Sequence, residues 1–251
     1  MKVLKVTLIA TIALVMCFSF AACSSTEEAK TSQDGVWQYV EVEGGISLTA
    51  INSIHETGLV VVPEYVDGQK VVSLGEKLFV GIDDGSSKKS DKGVYRENTV
   101  LDTVIIEAKV KEIPNMCFYY CTALRNVILP STCEKIAPFS FFNCASLTKI
   151  ELPEATVSIG EYAFRQCKSL REVVINNNSD DCITIGDKAF YNLNEKVSKD
   201  EQYYIDSDLT IFVKNLELYD VDVLESKRVA TKNLSYKYWK EYVEAGVVHQ
   251  K

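Results

Sequence analysis

Eight cysteines and two histidines are the residues of this 251-residue chain that could do the most specific chemistry. Cysteine could build a disulfide framework or a zinc site, and histidine beside a carboxylate could make a general base. Their spacing supports none of these. Cys117 and Cys121 lie four apart but no convergent histidine or cysteine pair completes a zinc set. His55, in Ile54-His55-Glu56, has no visible partner set and reads as a surface or turn residue, and His249 lies in a terminal stretch expected to fray. Asp83, Asp84 and Asp91 lack the alternation of a calcium loop. Asp180-Asp181 and Glu27-Glu28 are adjacent pairs, which an extended chain points apart. No nucleophile elbow, phosphate loop or zinc motif is present, so the sequence implies neither an enzyme nor a metal or other cofactor.

What positions the cysteines is a repeat. Cys121, Cys144 and Cys167 recur every 23 residues, and Ile113, Ile136 and Ile159, Phe118, Phe141 and Phe164, and Leu124, Leu147 and Leu170 keep the same interval. A fixed period of this size, with apolar residues in fixed slots, predicts a solenoid in which each coil contacts only its neighbours. The six cysteines from Cys117 to Cys182 fall in slots that other copies fill with small or apolar residues: Cys117 with Ala163 and Ala189, Cys133 and Cys182 with Val71 and Val110, and the 23-residue series with Leu193. They are expected to be free thiols in a core ladder. Within each coil Leu-x-x-Val/Ile-x-Leu/Ile predicts a strand, stacked into one parallel sheet, ended by Pro130 or Pro153. The Ile-Gly-x-x-Ala-Phe-x-x-Cys part is expected to supply a short strand and a helical turn.

The run from Ile159 to Ile175, Ile-Gly-x-x-Ala-Phe-x-x-Cys-x-x-Leu-x-x-Val-x-Ile, resembles the BspA-type leucine-rich repeat of bacterial surface proteins. With degenerate copies the resemblance covers residues 58–213. It implies a leucine-rich-repeat solenoid and a part in adhesion to host matrix proteins or other bacteria.

Residues 1–22 have the anatomy of an export signal: Lys2 and Lys5, an uncharged apolar run from Val6 to Phe20, then Ala21-Ala22-Cys23. The run is short for a membrane span, which needs about 20 apolar residues. Small residues before a cysteine resemble the lipobox of bacterial lipoproteins, which implies lipidation of Cys23 and a membrane anchor on the cell membrane or outer membrane, with the body surface exposed. Residues 23–35 are polar and read as a flexible stalk.

Residues 36–57 predict an N-terminal cap, a β-hairpin of residues 36–43 and 46–51 turning on Gly44-Gly45. The solenoid follows over 58–213, with polar insertions at 83–98 and 194–208. Residues 214–251 predict a helical C-terminal cap, with Tyr236, Trp239 and Tyr242 on one face.

The balance of 27 basic against 35 acidic residues excludes nucleic acid as a partner, since it opposes phosphate. A protein or glycoprotein partner fits better. On the predicted strands Ile105, Ile128, Glu151, Val174 and Phe212 form one outward column, and Thr103, Asn126, Lys149, Glu172 and Thr210 the other. Ile105, Ile128, Lys149, Glu151, Glu172, Val174 and Phe212 are therefore the candidate ligand-binding residues. Taken together, the sequence predicts a monomeric, non-catalytic surface binding protein. The alternative is a structural or accessory subunit of an envelope complex.

Overall fold

The computed structural model describes residues 28–54, 56–80, 97–178, 180, 182–193 and 203–251. The expected export signal, Cys23, His55, Asp181 and most of both polar insertions lie outside these residues.

The chain begins with a five-stranded sheet. Strands β1 (Lys30–Thr31), β2 (Trp37–Val42) and β3 (Gly45–Ile51) run antiparallel in succession. Part of the expected stalk is thus paired, with Lys30 bridged to Glu41 at 2.5 Å. The hairpin turns on Glu43-Gly44 rather than Gly44-Gly45. Gly44 supplies the positive φ of 84°, while Gly45 already pairs with Val42. Gly45 is needed for another reason, since a β-carbon there would meet the Lys70 carbonyl at 2.1 Å. After β4 (Leu59–Val62) and β5 (Tyr65–Val66), strand β6 (Gln69–Leu74) joins β3 in parallel, Leu48 beside Leu74.

Long and short strands then alternate: β7 (Thr103–Ile106), β8 (Glu112–Ile113), β9 (Asn126–Ile128), β10 (Lys135–Ile136), β11 (Lys149–Leu152), β12 (Ser158–Ile159), β13 (Glu172–Ile175) and β14 (Thr184–Ile185). The short strands stack as one sheet with Ile113, Ile136, Ile159 and Ile185 in register. The long strands do not. They divide into β4-β7-β9 and a second sheet that begins with β11.

Rings bind the coils through the middle. Phe79, Phe118, Phe141, Phe164 and Phe190 stack with centroids 4.8, 4.9, 5.0 and 5.2 Å apart and planes within 11° of parallel. That spacing is the ~4.8 Å of the backbone rungs themselves, so each ring follows from the strand register.

The expected helical turn is a pair of tight turns. Met116, Phe139 and Tyr162, and again Tyr120, Asn143 and Gln166, take positive φ between 55° and 64°. A left-handed non-glycine residue costs roughly 1–2 kcal/mol. Each of these amides is spent on the next coil: Tyr120 N–H donates to Phe142 O at 2.8 Å, and Asn143 N–H to Arg165 O at 2.8 Å.

Beyond the repeats, β15 (Tyr191–Leu193) and β16 (Tyr203–Ile205) pair antiparallel, so the second insertion contains a strand. Strand β17 (Thr210–Val213) returns to the long-strand sheet, and α1 (Val221–Thr231) and α2 (Leu234–Glu244) follow. A last strand, β18 (Val248–Gln250), lies parallel to β17. His249 is therefore held in a sheet, its ring 6.3 Å from that of Phe212, instead of fraying.

Helix α2 covers the end coil with the face expected from its aromatic spacing. Tyr236, Trp239 and Tyr242 are buried. The contacts are polar as well as apolar. Trp239 Nε1 donates to Ile183 O at 2.6 Å, while Ser235 Oγ accepts from Ile185 N–H at 2.7 Å and Tyr242 OH from Phe190 N–H at 3.0 Å. These are groups that a further coil would otherwise engage. Among the described residues no helix is long and apolar enough to cross a membrane.

Candidate binding face

The outward columns of the long strands pair as the sequence implies, but the two halves of the face differ. On β4-β7-β9, Val61, Ile105 and Ile128 are aligned, beside Leu59, Thr103 and Asn126. Leu59 is 44% exposed, Val61 39% and Ile128 57%, with Ile105 half-buried. On β11-β13-β17-β18 the columns run Lys149, Glu172, Thr210 and Glu151, Val174, Phe212, His249. Val174, flanked in register by the longer side chains of Glu151 and Phe212, is only 3% exposed. The apolar strip expected from Ile105 to Phe212 therefore stops at Ile128, and extends instead toward the N-terminal side through Val61.

The second half is ionic. Lys149 Nζ lies 2.8 Å from Glu151 and 2.7 Å from Glu172. Hydrogen bonds to these two carboxylates hold the Lys149 ammonium above its ordinary range, and the bond from Lys149 lowers Glu151. One cation serves two carboxylates, so the trio carries an excess negative charge.

Between the halves the hydrogen-bond ladder is interrupted. Strands β9 and β11 belong to different sheets and Lys149 N–H does not bond Arg125 O, whereas Asn126 N–H bonds Asp102 O and Glu172 N–H bonds Thr148 O on either side. The interruption is one-sided, because β8 and β10 remain paired in the same two coils and Phe118 stacks on Phe141. A groove of about 590 Å³ opens at the break, lined by Thr103, Asn126, Ile128, Ser131, Lys149, Glu151 and Asn176 among others.

The cysteines sit away from this face. All six from Cys117 to Cys182 are free thiols, five of them buried. Cys144 Sγ donates to Phe118 O at 3.2 Å and Cys167 Sγ to Phe141 O at 3.1 Å. Burial pushes the Cys117 and Cys144 thiols well above their ordinary range and Cys133 up to about 11, which suits packing and not nucleophilic chemistry. Among the described residues no three of His, Cys, Asp or Glu are placed to hold a metal ion.

One feature went unread in the sequence. On the turn side Tyr119, Tyr120, Phe139, Phe142 and Tyr162 form a half-buried aromatic ridge, with the Arg165 guanidinium 4.8 Å from the Tyr162 ring centre. The signal was there, since Met116, Phe139 and Tyr162 keep the repeat interval.

Residues 90–211 match the family model of the BspA type leucine rich repeat region, in six copies. The chain carries a BspA-type leucine-rich repeat region. A crystal structure of a Treponema pallidum leucine rich repeat protein is similar to it, at 26% identity over 74% of this chain and 75% of that one, with a TM-score of 0.54. The pneumococcal vaccine antigen PcpA aligns over 77% of this chain and 46% of its own at 16% identity and a TM-score of 0.46. A leucine-rich repeat protein from Bacteroides ovatus aligns over 73% and 65% at 16% identity and 0.37. No curated protein matches the chain. The BspA-type repeat accounts for the parallel strands, the phenylalanine stack and the cysteine column. It leaves the residues that would meet a partner to be argued from the face itself.

Proposed function

We propose that this chain is a non-catalytic binding protein of the bacterial surface, held by lipid on Cys23, which captures a protein or glycoprotein on the outward face of its long strands. The coils act as a solenoid, closed by the N-terminal sheet and by α2. The observation that carries the reading is the exposed apolar strip of Val61 and Ile128, with Leu59 beside it, against the Lys149, Glu151 and Glu172 trio. Exposed apolar side chains beside a polar rim are what a partner surface requires.

The test is capture from host matrix, mucin and bacterial envelope extracts by the full chain in detergent, against the double variant Val61→Lys with Ile128→Lys. A host protein held by the native chain and lost by the variant supports adhesion through this face. Capture of an envelope protein alone turns the reading to an accessory subunit. Equal capture by both chains removes the face from the account.

A further inference from the structure

The long-strand sheet is open at its N-terminal end. Strands β3, β2 and β1 extend the chain beyond β6, whereas β4 pairs on one side alone, with β7. The register assigns the main-chain groups of β4. Thr103 N–H bonds Gly58 O and Glu107 N–H bonds Val62 O, so Gly58, Val60 and Val62 face β7. Leu59 and Val61 therefore turn their N–H and C=O groups the other way. Leu59 N–H meets Thr57 Oγ1 at 3.4 Å, while Leu59 O, Val61 N–H and Val61 O have no hydrogen-bond partner among the described residues. The same two residues carry the exposed apolar side chains at the end of the proposed face. An apolar edge strand of this kind is a template for another extended chain.

We infer that a partner protein adds an extended segment to the free edge of β4, bonding the main chain of Leu59 and Val61 as one further strand of the sheet. This inference rests on the proposed binding face and assigns its ligand chemistry. Residues of the segment directly across from Leu59 and Val61 point to the same side as they do. Two apolar residues separated by one position would thus continue the columns that run from Leu59 to Asn126 and from Val61 to Ile128. A second copy of this chain is a poor occupant. Antiparallel pairing of β4 with itself, Leu59 opposite Val61, would set Glu56 of each copy opposite Glu64 of the other. Glu56 is exposed, precedes β4 and has no ion pair among the described residues, so a lysine or arginine at that end of the segment is the complementary group.

The test begins with the free chain, in which the Val61 amide is expected to exchange about tenfold or more faster than those of Val60 and Val62. A displayed random peptide library is then selected on the full chain. Selected peptides are expected to carry two apolar residues one position apart and a basic residue, and to slow exchange at Val61. Val61→Pro removes an N–H that β7 does not use, and is expected to weaken their binding about tenfold or more. Methylation of alternate peptide nitrogens, which keeps every peptide side chain, and Glu56→Lys are expected to weaken it too. A far-UV spectrum matching the native one checks that Val61→Pro folds, and the methylated peptides test the same bonds on the native chain. Slow exchange of Val61 in the free chain, failure to select any peptide, or indifference to these changes would overturn the inference. Capture of an intact partner that is lost with Val61→Lys and Ile128→Lys but kept with Val61→Pro would overturn it as well, and would leave the proposed function standing.

Discussion

The Cys144 thiol donates to the carbonyl of Phe118, 26 residues earlier and one coil away, at 3.2 Å. Cys167 repeats the bond to Phe141, so the two most regular columns of the chain are linked to each other. The cysteines are thus small apolar residues with a weak donor directed along the stack.

Cys144→Ala removes that donor and leaves a small cavity beside Phe118. A loss of about 1–2 kcal/mol in urea unfolding is expected. An unchanged midpoint would show that the column is packed without the help of its thiols.

Thiol ionisation gives a pH signature. Burial raises Cys133 to about 11 in the folded chain, against about 8.5 when unfolded. The unfolded chain gives up this proton first, so the contribution is complete below about 8.5 and is lost as pH rises through about 11. Cys133→Val is expected to flatten thermal stability against pH across that window. Alkylation at pH 8, read by mass spectrometry, should leave Cys117, Cys133 and Cys144 unlabelled in native protein and label them in denaturant.

Tyr242→Phe keeps the ring against Phe190 but removes the hydroxyl that accepts the buried Phe190 N–H. An unsatisfied buried donor costs about 1–3 kcal/mol. Faster amide exchange at Phe190, together with a lowered midpoint, is expected. Protection equal to the native protein would mean that another group accepts this bond.

Much of the fold was legible because Phe118, Phe141 and Phe164 recur at one interval, and a stack of equivalent coils buries all three in one slot. The aromatic face of α2 was legible for the same reason, since Trp239 and Tyr242 both had to find cover. Strand β18 was not, because three residues carry no period and their partner β17 is distant in the chain. The left-handed turns were hidden by their residues, Met116, Phe139 and Tyr162 giving none of the glycine signal that marks positive φ. The divided face escaped for a physical reason as well. Alternation tells which side of a strand Ile128 and Val174 occupy, but their exposures of 57% and 3% depend on neighbouring strands and on a break that no residue announces.

Lys149→Gln separates stability from binding. The Lys149 pairs are exposed, and such pairs contribute little to folding. The unfolding midpoint is expected to stay unchanged while partner capture changes. A shift in midpoint without any change in capture would make the trio a structural device.

The most direct measurement is hydrogen exchange of the full chain with and without its captured partner. Slower exchange is expected in segments 59–62, 103–106 and 126–128, which carry Val61, Ile105 and Ile128, with none over 221–244. Protection confined to the helices or to the turn-side ridge would contradict binding on the strand face.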